Sequence, residues 1–424
     1  MVGRELPAEE ERGVSGGRAN RSGIRLDLIG WKRILTAAVG ARLVVMVMSY
    51  GTNDVYYWSQ IAEGVATHGL IETYRMLPAL NHPPLAALFV SQLYLLADAL
   101  NVPFAWALKT PAILADLVSA RLIWVIWLSG HGGDAARRWT SAFLLCPAVI
   151  ALSAYHGNTD SLLACLALAG AWAAQRNRWG WAGLLLGLAV NVKLLALCVT
   201  VAVVFSVRDR RDLGRLAFGA MSTSLPLLVA LARDPQLVIG KVFGYVPAAE
   251  PWGIPWILSG FDPRYVARPA EISQWYLDHG TWLVVGSLFV AAILARRHRV
   301  GPLEAAFAGA CAFLVFSPSI GVQHLALMLP LAFATVPRAR YFLPTISSVF
   351  LLVSYATFAT QWLPLTTEAQ NWPVPIALLA LAVWAAAALG LSAAVDGVRS
   401  SPEAAPGPAT PPADQSTTSE GLTG

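Results

Sequence analysis

Long apolar runs alternate along this chain with short polar stretches in which arginine recurs. The first run is Ile34–Tyr50. Others follow at about 109–128, 139–154, 159–175, 180–190, 192–207, 213–231, 280–295, 302–316, 322–336, 341–359 and 374–395. Many are long enough to cross the hydrocarbon of a bilayer. The pattern predicts an all-α polytopic membrane protein of about twelve transmembrane helices, joined outside the membrane by helices that lie on or dip into its surface.

Charge sets the threading. Trp31, Lys32 and Arg33 precede the first run, which places residues 1–33 in the cytoplasm and the chain outside from Gly51. If Pro84–Leu100 also spanned, every later loop would change sides and the arginine-rich loops would fall outside. The stretch 51–108 is therefore read as one large external segment, with 232–279 as a second. Inner loops then hold Arg137/Arg138, Arg176/Arg178, Arg208/Arg210/Arg211/Arg215, Arg296/Arg297/Arg299 and Arg338/Arg340. The short outer connections Tyr155–Asn158, Ser317–Gly321 and Thr360–Pro373 hold no Lys or Arg. Both termini lie inside on this reading, and the membrane domain covers 34–395. A helix break is required at Asn191-Val192-Lys193, because one straight helix from Trp181 to Val207 would carry Arg208–Arg215 outside. Irregular backbone at that depth is tolerated where it lines a polar cavity.

Composition narrows the class. Of the 424 residues, 56% are hydrophobic and 13% charged, which excludes an ordinary soluble domain. The net charge of +5 is spread through short interhelical loops, so no nucleic-acid surface is expected. Cys146, Cys165, Cys198 and Cys311 sit in apolar runs without metal-ligand spacing and read as buried free thiols. Residues 1–30 lack an apolar core, so the first helix is read as an uncleaved anchor. The stretch 396–424, rich in Pro, Ala, Ser and Thr, reads as a disordered cytoplasmic tail.

Within this frame, polar residues converge on the outer face. Asp54 opens the first external segment beside Tyr56, Tyr57 and Trp58, and Asn81-His82-Pro83-Pro84 closes its loop part. A carboxylate at a partly desolvated interface is expected to have a raised pKa, suiting it to remove a proton from an acceptor hydroxyl; a helix cap or solvated charge is the plainer reading. Asp160, in His156-Gly157-Asn158-Thr159-Asp160, is open to either capping or function. His156 and His324, the latter in Ser317-Pro318-Ser319-Ile320-Gly321-Val322-Gln323-His324, could donate to a phosphate or simply be wet interfacial residues. Lys193 within an apolar segment should face a polar cavity and an anion. Asp116 is expected to pair with Arg121 or Lys109 as a structural ion pair inside the membrane.

The order of these pieces resembles the GT-C superfamily of membrane glycosyltransferases, which use polyprenyl-phosphate sugars. Asp54 resembles the acidic residue that opens the first external loop of those enzymes. Asn81-His82-Pro83-Pro84-Leu85 is similar to their aromatic-Pro-Pro-Leu segment, with His in place of Tyr, and His156-Gly157-Asn158-Thr159-Asp160 is similar to a later short loop. Asn191-Val192-Lys193 resembles their Asn-x-Lys break. The resemblance covers about residues 34–335. It implies a GT-C-like fold and an inverting transfer of a hexose, mannose first, or a pentose from a polyprenyl-phosphate donor to a lipid-linked or cell-envelope glycan acceptor. Asp54 would be the catalytic base. His82, Pro83, His156, Asn158, Asp160, Lys193, Glu250, Gln323 and His324 would bind substrate, with Lys193 stabilising the leaving phosphate. Asn53 stands where a second acid would complete a metal-binding Asp-x-Asp pair, so no metal or other cofactor is expected, although some relatives bind divalent ions. The partners implied are the lipid donor, the glycan acceptor and membrane lipids, at the plasma membrane with the site extracytoplasmic. A transporter or flippase of a lipid-linked saccharide is the rival, since intramembrane charges and a broken helix also suit transport.

Overall fold

A computed structural model describes residues 21–244, 250–262, 270–335, 339–358 and 373–396, all helices and their connections. The expected disordered tail and the Thr360–Pro373 connection lie almost wholly outside the described residues. Helix α1 (Arg21–Met48) begins well before the first apolar run and turns through 73° into α2 (Asn53–His68). Two further helices complete the first large loop: α3 (Leu70–Met76) and α4 (Pro84–Ala99). Pro84 stands in the first turn of α4, where its missing N–H costs nothing.

The bundle proper starts with α5 (Phe104–His131), then α6 (Gly133–Leu144) and the short α7 (Pro147–Ile150), which runs into a π-helical turn at Ala151–His156. Next come α8 (Asp160–Gln175), α9 (Trp179–Val192) and α10 (Leu197–Ser206), then α11 (Arg210–Met221) and α12 (Leu225–Arg233). The second large loop carries α13 (Pro235–Val238) and α14 (Gly253–Leu258). Five helices close the chain: α15 (Glu271–Arg297), α16 (Pro302–Phe316), α17 (Leu325–Ala334), α18 (Ala339–Phe358) and α19 (Val374–Asp396).

The helices follow the predicted runs closely, but their lengths differ from twelve straight spans. Three described helices, Phe104–His131, Glu271–Arg297 and Val374–Val395, are individually long and apolar enough to cross a bilayer. Bent pairs bring that to as many as six, with breaks of 73°, 49° and 60°. Other predicted spans are shorter apolar helices of 10–17 residues. Breaks of this kind leave backbone groups that need polar partners, and the candidate site is built at several of them.

Two main apolar cores form among the described residues, beside two small clusters. The larger joins α5 to α10 with α15 to α19, and the smaller packs α2, α3 and α4 against the start of α5, α12 and α13 through Val55, Trp58, Tyr74, Val90, Leu108 and Val238. Small residues let α9 and α11 approach backbone to backbone. A Cβ at Gly183 would collide with the Leu216 carbonyl, and one at Gly219 with the Gly180 carbonyl. That contact fixes the helix leading to Lys193.

Asp116 pairs with neither Arg121 nor Lys109. Its partner is the fully buried Arg42 of α1, whose Nε and Nη2 each donate to Oδ2 at 3.1 Å, while Nη1 donates to the carbonyls of Ala38 and Leu144. A buried guanidinium needs acceptors for all its donors, and packing of α1 on α5 and α6 supplies them where spacing along α5 could not. Lys109 instead donates to the carbonyl and hydroxyl of Ser49, at 2.8 and 3.1 Å, just past the end of α1.

Candidate active site at the helix breaks

Thr52 sets the position of Asp54. Its hydroxyl accepts the Asp54 amide as the N-cap of α2 and donates to the His156 carbonyl at 2.9 Å, and its own amide also reaches that carbonyl. The start of α2 is thus stitched to the end of the π-helical turn. Gly157 follows in a left-handed conformation (φ 77°, ψ 60°), and a Cβ there would strike the Val55 side chain. This tight corner turns His156 and Asn158 toward the carboxylate.

Both bonds to that carboxylate fall on one oxygen. His156 Nε2 lies 3.0 Å from Asp54 Oδ2, and Asn158 Nδ2 donates to the same atom. Asn158 Oδ1 in turn accepts from Trp58 Nε1 at 3.2 Å, which fixes the orientation of the amide. Among the described residues no hydrogen bond reaches Oδ1 of Asp54, and the side chain is 28% exposed. The expected raised pKa is not what the structure gives. Burial does push the carboxyl up, but the hydrogen bond and charge of His156, the charge of Lys193 and the Asn158 bond together hold it at about 2. Sequence reading could weigh the interface but not these partners, which lie about a hundred residues away in the chain.

Lys193 occupies the expected break, in extended conformation between α9 and a 3-10 turn at Leu194–Ala196. Its Nζ donates to both oxygens of Asp160, at 3.0 and 3.2 Å. Asp160 stands in the first turn of α8, yet the hydrogen bonds of its side chain go to Lys193, so the ion pair takes the place of the capping reading. The charge of Lys193 is felt at Asp54, His82 and His324.

His82 leans on Trp58 with ring centroids 4.6 Å apart, and its carbonyl accepts the Tyr74 hydroxyl. Both ring nitrogens are buried without a hydrogen-bond partner among the described residues. Burial, reinforced by Lys193, pushes this imidazole down to about 3, so it is neutral at physiological pH. Pro83 is buried behind it. His324 lies in a 3-10 turn, Val322–His324, where its Nδ1 accepts the Gly321 amide at 3.2 Å. The proton of the neutral ring is thereby on Nε2. Gln323 packs its amide against Gly321 beside this turn. No hydrogen bond or ion pair joins Glu250 to these groups among the described residues: burial pushes its carboxyl up to about 8, and one of its oxygens is buried without a partner among them.

Sequence reading missed Tyr355. Its hydroxyl, carried by α18, is 2.8 Å from His156 Nδ1. The available signal was a tyrosine in an apolar span, since a buried phenol requires a hydrogen-bond partner. Thr52 was also missed, although a threonine two residues before Asp54 is a recognisable N-cap.

Residues 81–318 match the family model described as "Glycosyltransferase family 87". Among curated proteins, GPI mannosyltransferase 1 from Aspergillus fumigatus is 28% identical over 233 residues, which are 51% of this chain and 52% of that protein. The chain thus spans about half the length of the curated relative it matches. Among solved structures, ArnT from Cupriavidus metallidurans bound to undecaprenyl phosphate aligns at TM-score 0.48 and 15% identity, over 87% of this chain and 77% of that one. Its apo form aligns at 0.48 and 17%, over 88% and 78%.

Proposed function

This chain belongs to glycosyltransferase family 87, and on that premise we propose that it transfers a sugar from a polyprenyl-phosphate donor to a lipid-linked or cell-envelope glycan with inversion. The observation that carries the reading is the division of labour at Asp54. One carboxylate oxygen is occupied by His156 and Asn158, and the other is left for a hydroxyl. The acceptor oxygen attacks the anomeric carbon as its proton passes to Oδ1, and the bond from that carbon to the phosphate oxygen breaks. A carboxylate held at about 2 is a weak base toward a free alcohol. The transfer is therefore late, when bond formation has already made the hydroxyl proton acidic.

The leaving phosphate gathers charge and needs donors. Lys193 spends two N–H bonds on Asp160 and keeps a third, and His324 Nε2–H and the neutral His82 complete the donor set. Pro83 and Gln323 shape the walls. Glu250, in the second large loop, is offered as a further acidic contact to substrate. The fungal relative is a mannosyltransferase, which supports mannose among the hexoses. The arginine distribution supports a plasma-membrane protein with both termini cytoplasmic, about twelve spans and an extracytoplasmic site.

The test is transfer by purified protein from polyprenyl-phosphate mannose, glucose or arabinose to a panel of glycolipid acceptors, read by mass spectrometry. A covalently extended, inverted product supports the reading. Movement of intact lipid-linked sugar across vesicles without extension contradicts it.

A further inference from the structure

Tyr355 lies outside the segment that matches the family and outside every sequence motif described above. It is buried, with its ring 4.9 Å from that of Tyr155 and its hydroxyl 2.8 Å from His156 Nδ1. The ionised Asp54 Oδ2 can only accept, so Nε2 of His156 carries a proton. Nδ1, on the other edge of the ring, is hydrogen-bonded to the Tyr355 hydroxyl, so the carboxylate and the phenol hold the imidazole from both sides.

With the phenol in place, Nδ1 of this buried ring has a partner. Without it, a buried ring nitrogen is left unsatisfied and the ring is free to turn away from Asp54.

We propose that Tyr355 is a positioning residue of the transfer reaction: its hydrogen bond to His156 Nδ1 holds the ring so that Nε2–H donates to Asp54 Oδ2 and Oδ1 is reserved for the acceptor hydroxyl. The inference rests on the transferase reading. In the step itself the hydroxyl proton goes to Oδ1, the acceptor oxygen bonds the anomeric carbon, and the phosphate leaves with the electron pair of the broken bond. Tyr355 and His156 keep their protons throughout.

The experiment compares native protein with Tyr355→Phe in nanodiscs by two readouts. Nitrogen NMR of histidine-labelled protein is feasible with seven histidines, His156 being assigned by its loss in His156→Gln. The native protein is expected to show the His156 Nε2 resonance shifted by its hydrogen bond to Asp54. The variant should lose that shift as the ring is released. In transfer assays kcat should fall about 10- to 100-fold, as for other residues that orient a functional histidine, while the donor KM stays within about twofold. An unchanged His156 signal in Tyr355→Phe overturns the proposal whatever the transfer assay gives. A released ring with unchanged kcat overturns it as well. Absence of transfer by the native protein is read without the variant; it would sink the transferase reading and this inference with it.

Discussion

Lys193 Nζ lies 3.0 Å from Asp160 Oδ1 and 3.2 Å from Oδ2, joining the break after one helix to the first turn of another. The side chains are 16% and 3% exposed, so this pair is screened little by solvent. On the proposed reading this pair has two separable roles, holding α8 to α9 and presenting a spare N–H to the donor phosphate. Breaking it from one side leaves an uncompensated buried charge, at a cost of roughly 3–5 kcal/mol. Asp160→Asn and Lys193→Met should each lower thermal stability, measured by scanning fluorimetry in detergent. The double variant should recover most of that stability and still fail to transfer sugar. Recovery of transfer in the double variant would remove Lys193 from the chemistry.

Gly157 carries the corner that brings His156 and Asn158 to one carboxylate oxygen. Gly157→Ala meets both a left-handed backbone and the Val55 side chain. The expected result is folded protein with transfer reduced at least about 10-fold, since misplacement by an ångström is costly to a reacting geometry. Gly157→Ala with Val55→Ala relieves the clash but not the backbone strain, and should restore activity only in part.

Asp54 remains ionised far below neutrality, because its partners outweigh burial and hold it at about 2. The sign follows directly: a lowered carboxylate pKa stabilises the charged form and is lost only as pH falls toward that value. The pH profile of kcat/KM should therefore show no acid limb from Asp54 between about pH 4 and 7, values above that pKa. Asn158→Ala together with His156→Gln removes both hydrogen bonds and should move an acid limb upward into the measurable range.

Glu250 behaves in the opposite sense. Burial raises its carboxyl to about 8, so the folded protein holds a proton that the unfolded chain releases near 4.5. Its contribution to stability declines as pH rises between those values and levels off above the upper one. Glu250→Gln keeps the shape and removes the titration. Its melting temperature should match that of the native protein near the lower value and exceed it near the upper one.

The sequence carried the helices well, because uninterrupted apolar runs and arginine placement are local signals. Even the break at Lys193 was legible, since one long helix would have put Arg208–Arg215 on the wrong side. What escaped was pairing between distant segments. Asp116 has Arg121 and Lys109 within reach along its own helix, yet Arg42 reaches it from α1. Asp160 stayed open between cap and functional group because a helix start explains an acid by itself, and only the fold brings Lys193 to it. The pKa of Asp54 went astray for the same reason: an interface predicts desolvation, but His156 and Asn158 were invisible as partners. Tyr355 sits in a run whose apolar character hides one hydroxyl.

The central claim is that Asp54 takes the proton of the acceptor. Its most direct test is transfer from polyprenyl-phosphate mannose by native protein and by Asp54→Asn, at equal membrane-inserted levels and equal melting temperature. The variant keeps the size of the side chain and removes the base, so kcat should fall by about 10²- to 10⁴-fold, the range of general base catalysis. Equal rates for the two proteins would contradict the account.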